Sequence, residues 1–465
     1  MSFRLQLVRT TVVAVTWLFL TAAAVAAQGL YYKEILKDGR IYVFNSATNA
    51  ERFEKTGTLD GGITKPGIGP KGETVVGDSA RALQLYFFKH GISEPVPEPV
   101  APQTIVWRDG KTRITMENAY LEISNRVQVR FTEEFPDDNT HLSGTEAAGD
   151  SRGSFRIRRA KFKLEGWMIR RWLTYEVQLN WPAITGSNPG AFLEDAAFDV
   201  DFSKGRGLFR AHIGQFKPPY GAQELTSSGN QQFVDRALVS NVFFRGRDTG
   251  VALWGTTGGN KFEWRVGMFN GNGLTRTTND NDKFQYNARL MWQPNGSQVL
   301  NQRAWVTGAL YSESDLESTT APIYAVAINW DSQNNFNATT GTDQKWHAYS
   351  LDGIYKYKGF SVNGMYAFAN RKPETGSEFD AYGYFIQAGK LFSRRRYEVA
   401  VRYGESDPSD LASRNTTKEA RGVFSYYYAR HGLKWQTDFG QVDVQSGTNP
   451  TVKTFEIRSQ LQFVF

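Results

Sequence analysis

From about residue 104 to Phe465, apolar and polar side chains alternate in segment after segment, and a period of two admits strands but not helices. In Arg126-Val-Gln-Val-Arg-Phe131, Val127, Val129 and Phe131 share one face, while Arg126, Gln128 and Arg130 share the other. Residues 262–268, 284–292 and 397–403 repeat the pattern. So does the end, where Phe455, Ile457, Leu461, Phe463 and Phe465 fall in phase. Ten prolines follow residue 103, and all lie between the alternating segments or at their edges, as an unbroken hydrogen-bonded ladder requires.

Connections alternate in length. Gln293-Pro-Asn-Gly296, Lys358-Gly359 and His431-Gly432 read as short turns, whereas residues 137–152 and 312–321 read as long polar loops. Short turns at one end and longer loops at the other describe an outer-membrane barrel. Residues 119–465 hold about seventeen strand candidates by this reading, and single-chain bacterial barrels have an even number. Sixteen strands give about 22 residues per strand and connection, which suits strands of about 9–11 residues. The expected fold is therefore all-β, a transmembrane antiparallel β-barrel of sixteen strands, with eighteen as the alternative.

The N-terminus sets the compartment. Arg4 and Arg9 precede an apolar run over residues 12–20 and then the small-residue stretch Thr21-Ala-Ala-Ala-Val-Ala-Ala27, the grammar of a secretory signal peptide over residues 1–27. Cleavage after Ala26 and after Ala27 both fit. No later run of 18 apolar residues exists, so a membrane helix is not expected. Residues 28–92 form a small periplasmic segment in this reading, with one or two short strands around Lys37-Asp-Gly-Arg40 and an amphipathic helix over residues 78–90. Four prolines between residues 93 and 103 mark a stiff linker, after which the barrel domain runs from 104 to 465.

Composition narrows the function. The chain has no cysteine, which excludes thiolate nucleophiles, disulfides and cysteine-ligated metal; its five histidines are scattered. No cofactor, metal or catalytic set is expected, and no nucleic-acid partner. Charged faces opposite aromatic ones suit a barrel with lipid outside and a polar lumen, which at sixteen strands is too wide for side chains to fill.

The densest basic strand is Ser154-Phe-Arg-Ile-Arg-Arg-Ala-Lys-Phe-Lys-Leu-Glu165. Its two apolar sets, Phe155 and Ile157 against Ala160, Phe162 and Leu164, are out of phase, which predicts a bulge at Arg158-Arg159. The bulge would bring Arg156, Arg158, Arg159, Lys161 and Lys163 towards the lumen beside Arg126 and Arg130. Guanidinium groups hold oxyanions through a planar fork, and a row of weak sites passes them by exchange. Asp195, Asp199 and Asp201 read as an acidic wall, which leaves a transverse field and a purely anionic filter both open. The long stretch from Gly214 to Arg247, with Lys217 and Glu224, has no clean alternation and is read as a loop folded into the lumen.

Several of these segments together resemble the phosphate-selective porin O and P family. They are Arg126-Val-Gln, residues 155–166 with Arg158-Arg159, Gly190-Ala-Phe-Leu-Glu-Asp-Ala-Ala197, Gly214-Gln-Phe-Lys-Pro-Pro-Tyr-Gly221, Leu225-Thr-Ser-Ser228, Val401-Arg-Tyr403 and the end Arg458-Ser-Gln-Leu-Gln-Phe-Val-Phe465. The resemblance implies a sixteen-stranded homotrimeric barrel in outer-membrane lipid, whose third loop constricts an anion-conducting pore. It places Arg126, Arg158 and Arg159 at ladder positions and Glu194 or Asp195 at an acidic constriction position. It also exposes departures. A constriction lysine of the phosphate-selective members is Glu224 here, another is Leu173, and the arginine cluster of a later loop has no counterpart in residues 312–350.

The expected function is passive diffusion of small anions such as phosphate or polyphosphate through an outer-membrane porin. A general, weakly selective porin is the alternative, as is a barrel anchor whose residues 28–92 bind an envelope partner. A hydrolase would need a pair such as Ser227 and His212, which no motif supports.

Overall fold

The computed structural model describes residues 31–465 apart from 60, 93–103, 109, 138–150, 184–191, 245, 276–277, 280, 295–308, 338–341, 393–395, 412–414 and 448. The expected signal peptide and the proline linker lie outside the described residues. The chain divides into two compact units, one ending at Ala101 and one starting at Pro102.

In the first unit, β1 (Lys33–Lys37) and β2 (Arg40–Phe44) form an antiparallel hairpin. Asp38 and Gly39 both take positive φ (51° and 72°), the type I′ geometry that Asp-Gly favours. β4 (Thr74–Gly77) pairs parallel to β2 and antiparallel to β3 (Ile63–Lys65), giving the order β1-β2-β4-β3. The expected amphipathic helix spans Ala80–His90. Ser79 caps it by accepting a hydrogen bond from the amide of Ala82, and Gly91 ends it in the left-handed region. Sequence reading missed the helix Ala47–Thr56, which buries only Ala50 and Phe53.

Glu34 joins the hairpin to the second helix. Burial works against its ionisation, but Lys89 (2.8 Å), Tyr32 (2.5 Å) and the His90 ring (3.0 Å) outweigh that and hold its carboxyl below the ordinary 4.5. A depressed carboxyl stabilises the folded state above the unfolded value and loses that stabilisation as pH falls through the folded one. Amide-exchange protection of peptides from residues 31–92, corrected for intrinsic rates, should therefore decline below about pH 4.5. In Glu34→Gln the decline should flatten; an unchanged profile would show that Glu34 is not the linked group.

The second unit is a closed antiparallel barrel in which each strand pairs with the next. Its sixteen strands are β7 (Ala119–Pro136), β8 (Arg152–Met168), β9 (Leu173–Asn180), β10 (Leu193–Asp201), β11 (Arg210–Phe216), β12 (Asp248–Thr257), β13 (Phe262–Phe269), β14 (Gln285–Trp292), β15 (Ile323–Asn337), β16 (Thr342–Tyr357), β17 (Phe360–Pro373), β18 (Phe379–Phe392), β19 (Tyr397–Asp407), β20 (Thr417–Ala429), β21 (Leu433–Val444) and β22 (Val452–Val464). β22 closes on β7, from Val464 opposite Arg126 to Thr454 opposite Pro136. A hairpin of β5 (Thr104–Arg108) and β6 (Lys111–Met116) extends the sheet along residues 119–124 of β7. Eighteen strands thus join the sheet and sixteen close the ring.

The faces separate as a membrane barrel demands. Phe155, Ile157, Ile386, Val401 and Leu461 are exposed on the outside, while their polar neighbours Arg130, Gln128, Gln387, Arg402 and Gln460 are buried inside. Lys358 and Gly359 form the two-residue turn between β16 and β17, both with positive φ (47° and 80°). The expected bulge exists. Gln128 pairs with Arg159 and Val129 with Ile157, so Arg158 is the extra residue of β8.

Candidate site in the barrel lumen

The connection 217–247 leaves the long-loop end of β11 and crosses inside the barrel. Its backbone amides reach the far wall. Gly221 donates to Asn329 on β15 (3.2 Å), Ala222 to Asp352 on β16 (3.2 Å), Leu238 to Glu419 on β20 (2.7 Å) and Val234 to Asp438 on β21 (3.4 Å). Tyr220, Val239 and Phe243 pack on an inner wall made flat by Ala348, Ala367, Ala369 and Ala381. The wall must be small there: a Cβ on Gly383 would sit 2.9 Å from both Phe243 and Val239.

A second segment enters from the opposite end. Residues 312–321, expected to form a long loop on the same side as 137–152, lie instead on the short-turn side, because they belong to the connection between the end of β14 at Trp292 and the start of β15 at Ile323. β14 pairs directly with β15, from Trp292 opposite Val326 to Tyr286 opposite Ser332. Leu310 and Tyr311 cover Met291, Ala325, Ala327 and Ile354, together with Leu225 from the first loop. Glu313 locks the two loops together. It accepts from Gln223 Nε2 (2.9 Å), the Gln232 amide (2.8 Å) and Gln387 Nε2 on the wall (3.0 Å).

The expected site residues fall into three groups. Arg130, Arg158 and Arg159 converge on one carboxylate, Asp235 of the loop, at 2.5, 3.5 and 3.3 Å. Lys161 pairs with Glu194 (2.5 Å), and Lys163 bridges Glu165 (2.8 Å) and Glu176 (3.0 Å). Arg126 and Arg156 have no carboxylate partner among the described residues: Arg126 donates to the hydroxyls of Ser227 (3.1 Å) and Ser228 (3.4 Å), and Arg156 is exposed on the inward face opposite Arg130. Glu194 and Asp195 meet Arg247, which grips Asp195 through two nitrogens (2.8 and 2.9 Å). Lys217 is buried and donates to the carbonyls of Glu224 and Thr226, while the Glu224 carboxylate pairs with Arg236 (3.1 Å). Of the wider acidic wall, Asp199 is buried against Arg210, His212 and Trp254, and Asp201 caps the turn after β10, so neither faces the loop.

The model of the phosphate-selective porin O and P family matches residues 129–465. The chain belongs to that family. Among solved structures it is similar to the anion-selective porin from Comamonas acidovorans, with 11% identity, 75% of this chain and 100% of that one covered, and a TM-score of 0.51. It is also similar to the outer-membrane channel DcaP of Acinetobacter baumannii, with 10% identity, 76% and 99% coverage, and a TM-score of 0.49. No curated protein sequence matches the chain. The protein is thus an outer-membrane porin channel of a bacterium.

Sequence reading missed three residues that organise the porin's lumen: Asp235, Arg236 and Arg247. They sit in a stretch without periodicity, so no pattern sets them apart; a charge triplet in a long loop was the only available signal. Their placement follows from electrostatics. A charge taken out of water must be paired or hydrogen-bonded, and the loop supplies the partners that the dense basic strand lacks locally. The wetted remainder lies on one side. Arg156, Arg158, Asp235, Arg236 and Arg247 are partly or fully exposed, as are Arg126 and the loop residues Ser227 and Asn230. The wall of β15–β20 is sealed by the two loops instead.

Proposed function

We propose that this porin passes small anions by passive diffusion, phosphate-like oxyanions among them, along the wall of β7 and β8. The supporting observation is the balance of wetted charge. Among the described residues, Arg156 is exposed without a carboxylate partner, Arg158 is held end-on at 3.5 Å, and Arg126 donates to the hydroxyls of Ser227 and Ser228. An anion moving inward meets cations that bind it weakly and release it to the next. Serine hydroxyls beside Arg126 replace part of its hydration, as an oxyanion needs. We read the protein as a channel and not an enzyme: Ser227 is bonded to Arg126 and His212 to Asp199, so these two do not pair as nucleophile and base.

The reading extends to the assembly. Residues 1–27 serve as the export signal, residues 28–92 lie in the periplasm beyond the linker 93–103, and three copies form the functional unit in outer-membrane lipid. A general, weakly selective pore is the second reading. It is favoured by Glu194 and Asp195, which neutralise Lys161 and Arg247, and by Glu224 in place of a lysine. Single-channel recording in a planar bilayer under a KCl gradient tests both. Stepwise conductance with a reversal potential on the chloride side is expected. A cation-side potential would overturn the anion reading, and a potential near zero would favour the general pore.

A further inference from the structure

We propose that Asp235 is a tethered anion that occupies the porin's own oxyanion site and thereby sets how tightly a free oxyanion is held; this rests on the anion reading above. Three guanidinium groups meet its carboxylate: Arg130 Nη1 at 2.5 Å on one oxygen, Arg158 Nη2 at 3.5 Å and Arg159 Nη2 at 3.3 Å on the other. That is the coordination a phosphate or sulfate would take from the same side chains. The grip is uneven. Arg130 is fully buried and also tied to Gln460 and the Val234 carbonyl, so its bond to Asp235 is part of the scaffold. Arg158 has a side chain 37% exposed, and its buried Nε has no hydrogen-bond partner among the described residues. The side chain is thus reached by water while one of its donors lacks an acceptor. An incoming oxyanion that takes the Arg158 and Arg159 edge displaces one carboxylate oxygen and leaves the other on Arg130.

The loop does not depend on that carboxylate for its position. Arg402 donates to the Asp235 carbonyl (3.1 Å) and stacks on Phe233 (4.1 Å), Arg130 holds the Val234 carbonyl (2.9 Å), and Lys434 and Gln436 hold the carbonyls of Gln231 (2.9 Å) and Gln232 (2.7 Å). Removing the charge leaves the backbone in place and the three guanidinium groups without their shared carboxylate. A competitor tethered beside its site acts at about millimolar concentration or above, so its removal should tighten binding of a free competitor about tenfold or more.

The test is a titration of chloride current with inorganic phosphate in planar bilayers, on wild type, D235N, D235S and D235E. In D235N and D235S the half-inhibiting phosphate concentration should fall about tenfold, and D235E should stay near wild type. E194Q removes one negative charge from the Lys161–Arg247 contact without touching Asp235, and should move it less. Equal inhibition in wild type and both neutral variants, or an equal shift in E194Q, overturns the proposal while an anion-side reversal potential in wild type leaves the porin reading standing. A cation-side wild-type potential instead removes the reading on which the proposal rests. Both neutral variants failing to insert would show that the carboxylate is structural, which also overturns it.

Discussion

Replacing Arg156 and Arg158 together by glutamate should lower the ratio of anion to cation permeability by about tenfold or more at low ionic strength. The estimate follows from Coulomb's law. One unit charge about 8 Å from a passing ion in water contributes about 0.5 kcal/mol, and two reversals change the charge by four units, about 2 kcal/mol against about 1.4 kcal/mol for a factor of ten. Salt shortens the reach of each charge to about 10 Å at 0.1 M, so the effect should shrink as the bath is concentrated. These two positions are chosen because they are wetted and because Arg130 and Arg159 remain to hold Asp235. Reversing Arg159 would put a like charge against Asp235 and disturb its pairing, mixing two effects. The reading is lost if the reversal potential of R156E/R158E equals that of wild type in the same KCl gradient.

The barrel was legible because its information is local. Alternation, proline placement and turn chemistry are each written within about ten residues of chain, and all pointed to one architecture. The bulge was legible for the same reason: a phase slip between Ile157 and Ala160 has one local remedy, confirmed by the register of β7 on β8. What escaped was everything decided at long range. The basic strand reads as an open row of cations, yet Lys161 and Lys163 are neutralised by Glu194, Glu165 and Glu176, and three arginines share Asp235. Asp235 lies more than seventy residues after Arg159 in sequence, and nothing periodic marks it.

The inner wall carried a signal of its own. Residues 364–369, Gly-Met-Tyr-Ala-Phe-Ala, are apolar on both faces, against the rule that a porin lumen is polar. The structure explains the exception. Met365, Ala367 and Ala369 face inward and are covered by Tyr220, Val239 and Phe243 of the loop, while Tyr366 and Phe368 face outward and are exposed. A barrel strand that breaks alternation with small apolar residues on its lumen side is a seat for an inward loop. The connection between β14 and β15 escaped for a plainer reason: Gln293-Pro-Asn-Gly296 reads as a short turn, whereas β15 begins only at Ile323.

That second inward segment gives the other large effect. Glu313→Ala should raise the mean single-channel conductance and make the current flicker, with the barrel itself unaltered. The carboxylate is 3% exposed and satisfies three donors, from Gln223, the Gln232 amide and Gln387. Each buried donor left without an acceptor costs about 1–3 kcal/mol, so the folded-in loops lose several kcal/mol unless water enters or the loops part. Both outcomes widen the path. The backbone contact between the Glu313 amide and the Asn230 carbonyl (3.1 Å) survives the substitution, which argues for fluctuation and against complete release. The ladder that closes β22 on β7 involves neither loop, so heat-dependent gel mobility should match wild type. Glu313→Gln keeps one oxygen acceptor and turns an amide towards the other donors, so its flicker should fall between the two. A quiet alanine variant with wild-type conductance would show that the clamp between the loops is carried by other contacts, the Asn230 carbonyl first among them.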